Sequence, residues 1–483
     1  MKRLPTLGVI LPFFILVICF SQALAQETTE TAESLYAQGH AFYLARDYAK
    51  AQPYFEKAVA KDPNFVPAWA ELGSCLGQLG RYQEAVTACE RAIKLQPDNV
   101  RAHETLGWAY GELGRWEKTV EICKQTIQLN PNRATSYNNL SWAYNALNRY
   151  REAMEAAQQA IRINPNYDLP YSNLGRACAR LDRFDEAFDA FKQRARLRPE
   201  LFDAQFDLCR ISLNVRQWQD GAAACQRATK LKPESPDPHR FLGITLVELK
   251  RGQEGIDAIK EALKLQPNDD RALLTLGQAY MILARAEEAL PVFQDLLKLK
   301  PKDGQILFNL GLAYSQLERY EEAIKIYQDL LKFAPTNVPA QINLGLAYNQ
   351  AGRYQEAVVL YQELLLNNPD LPVAYNNLSM TYLYMGRYEE ALKSVQKALQ
   401  LDAKVAAAHD TLGQVYGKMG RHQEAVTAYQ EAIRLQPSYI AAHLNLGLAY
   451  LQLGNKEAAM TEYESLKKLD AKKAEQLWQS INK

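Results

Sequence analysis

Proline recurs every 34 residues along most of this 483-residue chain, and no other feature constrains its fold as strongly. The ten evenly spaced prolines are Pro63, Pro97, Pro131, Pro165, Pro199, Pro233, Pro267, Pro301, Pro335 and Pro369. A repeat of this period indicates a stack of short supersecondary units, each of which contacts its neighbours. The sequence therefore predicts one repeat array in place of the roughly three globular domains that its length alone suggests.

Two further columns of small residues indicate what each unit contains. We number the positions of a unit from 1 to 34, so that the recurring proline holds position 32. Position 20 holds alanine, glycine or threonine in every unit. Position 8 holds Gly39, Gly73, Gly107, Ser141, Gly175, Cys209, Gly243, Gly277, Gly311, Gly345, Ser379, Gly413 and Gly447. Small residues at both positions allow two antiparallel helices to approach closely, so each unit is predicted to be a helix pair.

The residues at fixed offsets in each unit resemble those of the tetratricopeptide-repeat (TPR) family. Residues 66–99 carry Trp69, Leu72, Gly73, Ala85, Ala92 and Pro97, and residues 304–337 carry Leu310, Gly311, Tyr314, Ala323 and Pro335. The resemblance extends in phase over thirteen units, residues 32–473. It implies an all-α fold, a right-handed superhelical solenoid of antiparallel helix pairs. Arg194 stands where the pattern expects a small residue, so altered local packing is expected there.

The N-terminus has the pattern of a secretory signal. Lys2 and Arg3 precede an apolar run at residues 7–20, and residues 23–25 read Ala-Leu-Ala, a typical cleavage site. We therefore predict a cleaved signal peptide at residues 1–25 and export to a bacterial periplasm or to the medium. The alternative is that the segment is retained as an N-terminal membrane anchor, the one case in which membrane contact is expected.

The remaining segments outside the repeats are short. Residues 26–31 form a polar linker rich in Thr and Glu, and residues 474–483 place apolar side chains at helical spacing. The latter pattern predicts a C-terminal capping helix that closes the last repeat. Only 41 of 483 residues lie outside the 442 repeat residues, which leaves no room for a catalytic domain.

Six cysteines follow residue 25, namely Cys75, Cys89, Cys123, Cys178, Cys209 and Cys225. An even number in an exported chain favours disulfides. Most of these cysteines, however, occupy columns where a small apolar residue packs, which favours buried free thiols. Cys209 and Cys225 lie in one repeat and are the best candidate pair, and both interpretations stay open.

Composition and motifs exclude several classes of function. The 56 basic and 55 acidic residues are interleaved, without the basic stripe that nucleic acid requires. No nucleophile triad, phosphate loop or metal-spaced acidic cluster is present, so we predict no enzyme, cofactor, metal site or small-molecule substrate. Four histidines share position 4, a slot that holds an aromatic residue in several other units, and are predicted to pack there: His103, His239, His409 and His443.

Position 6 is the column of greatest functional interest, because the TPR resemblance places it on the concave groove. It holds asparagine in six units: Asn139, Asn173, Asn309, Asn343, Asn377 and Asn445. The asparagine amide both donates and accepts hydrogen bonds, which matches the backbone of an extended peptide. Long members of the family bind extended chains with such an asparagine ladder. The alternative is that these residues are merely a common choice on a wet helix face.

The neighbouring groove columns differ between the two halves of the chain. Position 9 holds Trp108, Trp142, Arg176 and Arg210 in the first half, then Leu312 and Leu346 in the second, where Phe308 adds to the apolar set from position 5. If these positions face inward as in the family, the first half presents an aromatic and cationic patch and the second an apolar trough. The alternative for the second half is that curvature buries part of the trough.

Taken together, these patterns predict a non-enzymatic scaffold that binds an extended peptide or a partner protein in its concave groove. The alternative function is a structural assembly factor, tethered by an uncleaved N-terminal anchor, that self-associates through its repeat surface.

Overall fold

The computed structural model describes residues 30–482 of the chain, in which every regular element is a helix. The predicted signal peptide, and the predicted linker up to residue 29, lie outside the described residues. The described residues divide into two compact units, one within residues 1–234 and one within residues 235–483, which we call the N-terminal and C-terminal units. None of the described helices is long and apolar enough to cross a membrane.

The N-terminal unit contains six helix pairs. Its helices are α1 Ala32–Leu44, α2 Tyr48–Lys61, α3 Val66–Gln78, α4 Tyr82–Leu95, α5 Val100–Glu112, α6 Trp116–Leu129, α7 Ala134–Ala146, α8 Tyr150–Ile163, α9 Asp168–Arg180, α10 Phe184–Leu197, α11 Phe202–Asn214 and α12 Trp218–Leu231. Consecutive helices contact one another, and from α1 to α9 the first helix of each pair also contacts the first helix of the next pair. The first helices therefore lie side by side, and they carry positions 2, 5, 6, 9 and 13.

The C-terminal unit contains seven helix pairs and one final helix. Its helices are α13 Pro236–Glu248, α14 Gly252–Leu265, α15 Asp270–Ile282, α16 Ala286–Leu299, α17 Gly304–Gln316, α18 Tyr320–Phe333, α19 Val338–Gln350, α20 Tyr354–Asn367, α21 Pro372–Tyr384, α22 Tyr388–Leu401, α23 Ala406–Lys418, α24 His422–Leu435, α25 Ile440–Gln452, α26 Lys456–Leu469 and α27 Ala471–Ile481. The predicted all-α architecture of helix pairs is confirmed.

Each first helix ends because position 15 adopts a left-handed backbone conformation. Glycine holds this position in six units, for example Gly80 with φ of 75°. Seven other units place a residue with a side chain there, including Asn148 and Glu318, both with φ of 58°. A residue in this conformation terminates the helix and turns the chain back. The second helix ends at an extended residue just before position 32, where proline cannot continue a helix.

The two small columns meet inside each pair, as predicted. In two units the position-8 serine donates a hydrogen bond to the position-20 carbonyl, over 2.7 Å from Ser141 Oγ to Ala153 O. In most others a glycine makes room for an aromatic ring at position 24. A Cβ atom on Gly311 would lie 2.5 Å from the Tyr327 ring, and one on Gly345 would lie 2.4 Å from Tyr361. The small side chain is therefore required for the rings to be buried between the helices.

In seven units, a polar side chain at position 4 connects the unit to the one before it. This side chain reaches the carbonyl of position 32 in the preceding unit, over 3.0 Å from Trp69 Nε1 to Pro63 O and 2.9 Å from a ring nitrogen of His103 to Pro97 O. His409 and His443 make the same contact. In the described part of the chain, no group of three or more His, Cys, Asp and Glu side chains is arranged to hold a metal ion.

Two local features extend or change the sequence-based expectations. A disulfide joins Cys209 and Cys225, so this repeat carries a covalent bond between positions 8 and 24. The other four cysteines of the described residues are buried free thiols, as the packing argument expected. The final helix α27 begins at Ala471, before the predicted start at residue 474, because the Asp470 side chain caps it by accepting a hydrogen bond from Lys473 N.

Candidate peptide-binding groove

Two cavities lie along the first helices of the N-terminal unit. The first, of about 940 Å³, is bordered mainly by α3, α5, α7 and α9, and the second, of about 890 Å³, by α7, α9 and α11. Trp142, Asn173 and Arg176 line both cavities. Trp108 and Asn139 line the first, and Arg210 lines the second. The structure thus brings together all six residues that the sequence placed in the groove of this half.

Glycine residues position the two groove tryptophans. Trp108 and Trp142 both occupy position 9, and each ring lies against a glycine at position 12 of the preceding repeat. A Cβ atom on Gly77 would lie 2.5 Å from the Trp108 ring, and one on Gly111 would lie 2.3 Å from the Trp142 ring. Trp142 also packs edgewise on Trp116, with ring centroids 5.0 Å apart. Both indoles are therefore rigidly held and half-buried, so that one part of each ring lines the groove.

The position-6 asparagines are more deeply engaged within the protein than a free ladder would be. Asn139, Asn173 and Asn377 are less than a tenth exposed. Asn173 Nδ2 donates to Asn138 Oδ1 of the preceding repeat over 3.0 Å, and Asn445 donates to Asp410 in the same way. Asn309 and Asn343 donate to carbonyls one turn earlier on their own helices, each over 2.9 Å. Much of their donor capacity therefore stabilises adjacent helices instead of facing a ligand.

The predicted apolar trough of the C-terminal unit does not coincide with the cavity described there. Phe308 and Leu312 are half-buried, and Leu346 is 40% exposed. Phe308 packs on the Tyr327 ring at a centroid distance of 6.2 Å. A cavity of about 300 Å³ in this unit lies on a different face, lined by residues such as Leu344, Tyr348, Val359 and Leu360. The groove in the N-terminal unit is therefore the better developed site.

A buried charge cluster at the α9–α11 end of the groove explains two departures from the repeat pattern. Arg194, at a position that is usually small, donates from Nη1 to Asp207 Oδ2 over 3.0 Å. Asp207 replaces asparagine at position 6, and its other oxygen lies 3.5 Å from Arg210 Nη2. Arg194 and Asp207 are 6% and 12% exposed at their side chains. Burial raises the pKa of Asp207, and the surrounding arginines, Arg176 first among them, oppose that rise.

The remaining groove cations differ in how they are compensated. Arg101 donates to the buried Glu71 over 2.7 Å, and Arg133 donates from Nε to Glu104 Oε1 over 3.0 Å. Arg176 and Arg180, in contrast, have no carboxylate oxygen within 4.0 Å among the described residues. Arg180 was missed by the sequence analysis. The signal was present, because position 13 lies one helical turn after position 9 and shares its face.

Sequence comparison identifies the family. The tetratricopeptide-repeat model that spans two units matches more than half of the chain, at residues 36–100, 207–270, 274–338 and 411–474. Related tetratricopeptide-repeat models match residues 76–141, 134–167, 169–188, 336–404 and 370–438. The chain belongs to the tetratricopeptide-repeat family. Proteins of this family generally act as scaffolds in protein–protein interactions, and the fold of this chain is consistent with that class of function.

Solved structures show similar helix-pair folds at low sequence identity. They include a tetratricopeptide repeat protein from Parabacteroides merdae, 18% identical, which matches 51% of this chain and 98% of its own with a TM-score of 0.46. Yeast Tom70 is 18% identical over 93% of this chain and 95% of its own, with a TM-score of 0.44. The APC/C hetero-tetramer Cut9-Hcn1 is 16% identical over 97% and 99%, with a TM-score of 0.41. A comparison with curated proteins finds no significant match.

Proposed function

We propose that this chain is an exported, non-catalytic scaffold that binds an extended peptide, or an extended segment of a partner protein, in the groove of the N-terminal unit. The observation that carries the proposal is the pair of cavities that share Trp142, Asn173 and Arg176. Together they follow five successive first helices, α3 to α11. At about 8 to 10 Å between neighbouring helices, this path is about 32 to 40 Å long. It would accommodate roughly ten to twelve residues of extended chain.

The chemistry of the lining supports a peptide ligand. The rigid indoles of Trp108 and Trp142 offer apolar surface at little entropic cost, as aromatic residues do at binding hot spots. Asn173 lines both cavities. The groove therefore combines apolar surface with side chains that form hydrogen bonds. Such a lining suits a peptide better than an apolar small molecule.

Export is supported by two features of the chain. Residues 1–25 have the pattern of a cleaved secretory signal, and Cys209 and Cys225 form a disulfide. Disulfides persist in oxidising compartments such as the periplasm and the extracellular space. Mass spectrometry of the N-terminus of the protein recovered from the exported fraction tests this part of the proposal, and an intact Met1 there would contradict cleavage.

Replacing Trp142 by alanine is expected to weaken peptide binding by about 2 kcal/mol, roughly thirtyfold, because the shared wall of both cavities is lost. Twelve-residue peptides selected on the intact protein by phage display would serve as probes, with affinities measured by fluorescence polarisation. Trp478→Ala is the matched control, since Trp478 lies on α27 outside the groove and is 38% exposed. Equal affinity in both variants, with unchanged helical content, would contradict the groove as the binding site.

The alternative function, self-association, has one supporting observation in the C-terminal unit. Leu366 on α20 is 85% exposed, and Val359, two turns earlier on the same face, is 46% exposed. Leu366 holds position 29, which is lysine or arginine in nine of the thirteen repeats. An exposed leucine in a column that is mostly charged, beside an exposed valine on the same helix face, is a feature of association surfaces.

If α20 mediates self-association, the chain lacking residues 1–25 should show a mass above that of the monomer in light scattering. Leu366→Lys, which restores the charge typical of the column, should then return it to the monomer. Leu299→Lys is the control, because Leu299 is also exposed, at 62%, but lies on α16. A monomeric parent chain would rule this function out and leave the peptide-binding scaffold.

A further inference from the structure

We infer that the α9–α11 end of the groove selects an acidic side chain of the bound peptide, whose carboxylate is taken by Arg176 and Arg180 beside Trp142. This inference rests on the proposed peptide-binding function and specifies its ligand. The ligand that fits is an extended segment in which an aspartate or glutamate neighbours an aromatic or apolar residue. The argument depends on which groove charges remain uncompensated and on where they lie.

The groove carries a local excess of positive charge in a chain that is otherwise balanced. The whole sequence has 56 basic and 55 acidic residues. The two cavities, by contrast, are lined by more arginines than carboxylates: Arg101, Arg133, Arg176, Arg180, Arg194 and Arg210 against Glu104, Glu112 and Asp207. This imbalance is a property of the groove and not of the surface as a whole.

Ion pairs within the protein neutralise half of these arginines. Arg101 and Arg133 are bound by Glu71 and Glu104, and Arg194 is bound by Asp207 in the interior. Because Asp207 is already engaged by Arg194, its contact with Arg210 at 3.5 Å leaves that second arginine only partly compensated. Arg176 and Arg180 have no ion pair among the described residues. Arg176 acts on Asp207 only at longer range, without a direct contact, so the least compensated charge of the groove lies on α9.

The geometry of α9 suits a carboxylate. Arg176 and Arg180 are four residues apart, so they project from the same face of the helix about 6 Å apart at Cβ. Both are exposed, and both line the second cavity. Arg176 also lines the first cavity, next to Trp142. A guanidinium group binds a carboxylate through two parallel hydrogen bonds, which a neutral amide cannot reproduce with equal strength.

At the α5 end of the groove, carboxylates disfavour an acidic side chain of the peptide. This determines which end of the peptide lies at α5 and which at α9. Glu112 on α5 lies in the first cavity and accepts a hydrogen bond from Trp108 Nε1 over 3.1 Å. Glu104, on the same helix, is held by Arg133 and by Ser136. An acidic side chain placed there would meet carboxylates. The peptide should therefore bind with its acidic residue at α9 and its uncharged part toward α5.

The test uses three fluorescein-labelled decapeptides of alternating sequence, Glu-Tyr, Gln-Tyr and Lys-Tyr, titrated into the full exported chain at low salt. The Glu-Tyr peptide is expected to bind about tenfold more tightly than the Gln-Tyr peptide, and the Lys-Tyr peptide more weakly than both. The preference should shrink as the salt concentration rises to about 0.5 M, since partly exposed charges are screened.

The double variant Arg176→Gln with Arg180→Gln should lose the preference for Glu-Tyr while keeping its affinity for Gln-Tyr. The matched control is Arg162→Gln with Arg196→Gln, which removes the same charge from exposed positions at the ends of α8 and α10, away from both cavities. Equal affinity of the intact protein for Glu-Tyr and Gln-Tyr would overturn the inference while leaving peptide binding intact. An equal loss of preference in the two double variants would also overturn it, because the effect would then reflect net charge alone. Binding of none of the three peptides would count against the groove itself, and with it the inference.

Discussion

Replacement of Arg194 by alanine is expected to lower the free energy of unfolding of the N-terminal unit by about 3 kcal/mol, the low end of the range for breaking a buried ion pair. Asp207 would keep its carboxylate in a site where the side chain is 12% exposed, but would lose the hydrogen bond of 3.0 Å that now compensates it. Removing one partner of a buried ion pair is strongly destabilising, whereas the intact pair itself contributes little. Arg210, 3.5 Å from Asp207, would remain as a weaker partner. Urea denaturation followed by circular dichroism measures the loss.

The control for Arg194→Ala is a double variant in which the Asp207 charge is removed as well. Adding Asp207→Asn to Arg194→Ala restores the residue types that the preceding repeat boundary carries, where Ala160 and Asn173 hold the equivalent positions and Ala160 is fully buried. The double variant should recover most of the lost stability, since Asp207 is gone and Asp168 keeps its contact with Arg198 at 3.5 Å. If the single variant were as stable as the parent, or the double variant no better than the single, the ion pair would not be the reason for these two departures.

The single variant should also show a characteristic pH dependence. Burial already raises the pKa of Asp207, and removing Arg194 removes one of the charges that oppose this rise. A carboxyl group with a raised pKa binds its proton more readily in the folded state, so the folded state gains stability as pH falls through that pKa. The difference in the free energy of unfolding between the parent and Arg194→Ala should therefore become smaller as pH is lowered from 7 toward the raised pKa of Asp207. The double variant lacks the Asp207 carboxyl group and should show less narrowing of this difference, with Asp168, whose Oδ2 lies 3.9 Å from Arg194 Nε in the parent, as the carboxyl group that remains.

The helix pairs could be predicted from sequence because their phase depends on backbone constraints that recur. Proline at position 32 ends the second helix wherever it occurs. The turn between the two helices is harder to recognise in the sequence, because glycine holds the left-handed position in only six of the thirteen repeats. Asn148 and Glu318 adopt the same conformation as Gly80, although their residue types do not require it. The period of the array therefore determines this turn more strongly than the residue at position 15 does.

The groove could be predicted only in part, because its chemistry depends on contacts between repeats. Position 9 placed Trp108 and Trp142 at the cavities, since a column on one helix face keeps its direction. The hydrogen bond from Asn173 to Asn138 joins residues 35 apart, and reading position 6 alone does not reveal it. In the sequence, Arg194 and Asp207 each look like an isolated departure from the repeat pattern. Their complementarity appears only when the second helix of one repeat is packed on the first helix of the next.

The disulfide between Cys209 and Cys225 is expected to contribute about 3 kcal/mol to the stability of the repeat that contains it. The two cysteines are 16 residues apart, and closing a loop of about that length removes this much conformational entropy from the unfolded chain. In other repeats the same pair of positions holds a glycine and an aromatic ring, as in Gly175 and Phe191, which bury far more apolar surface. Here the covalent bond replaces that packing, so its loss should not be offset locally.

Reduction with dithiothreitol should therefore lower the unfolding midpoint of the parent chain and leave that of Cys209→Ala/Cys225→Ala unchanged. Cys89→Ala is the control, because Cys89 is a buried free thiol and its variant should still respond to the reductant. Since a repeat contacts only its neighbours, faster hydrogen exchange should be confined to α11, α12 and the helices packed on them. Because α11 carries Asp207 and Arg210, reduction should also loosen the charged end of the groove. Uniform exchange across the N-terminal unit, or a midpoint that does not move when all six thiols titrate, would show that the disulfide is not what holds α11 to α12.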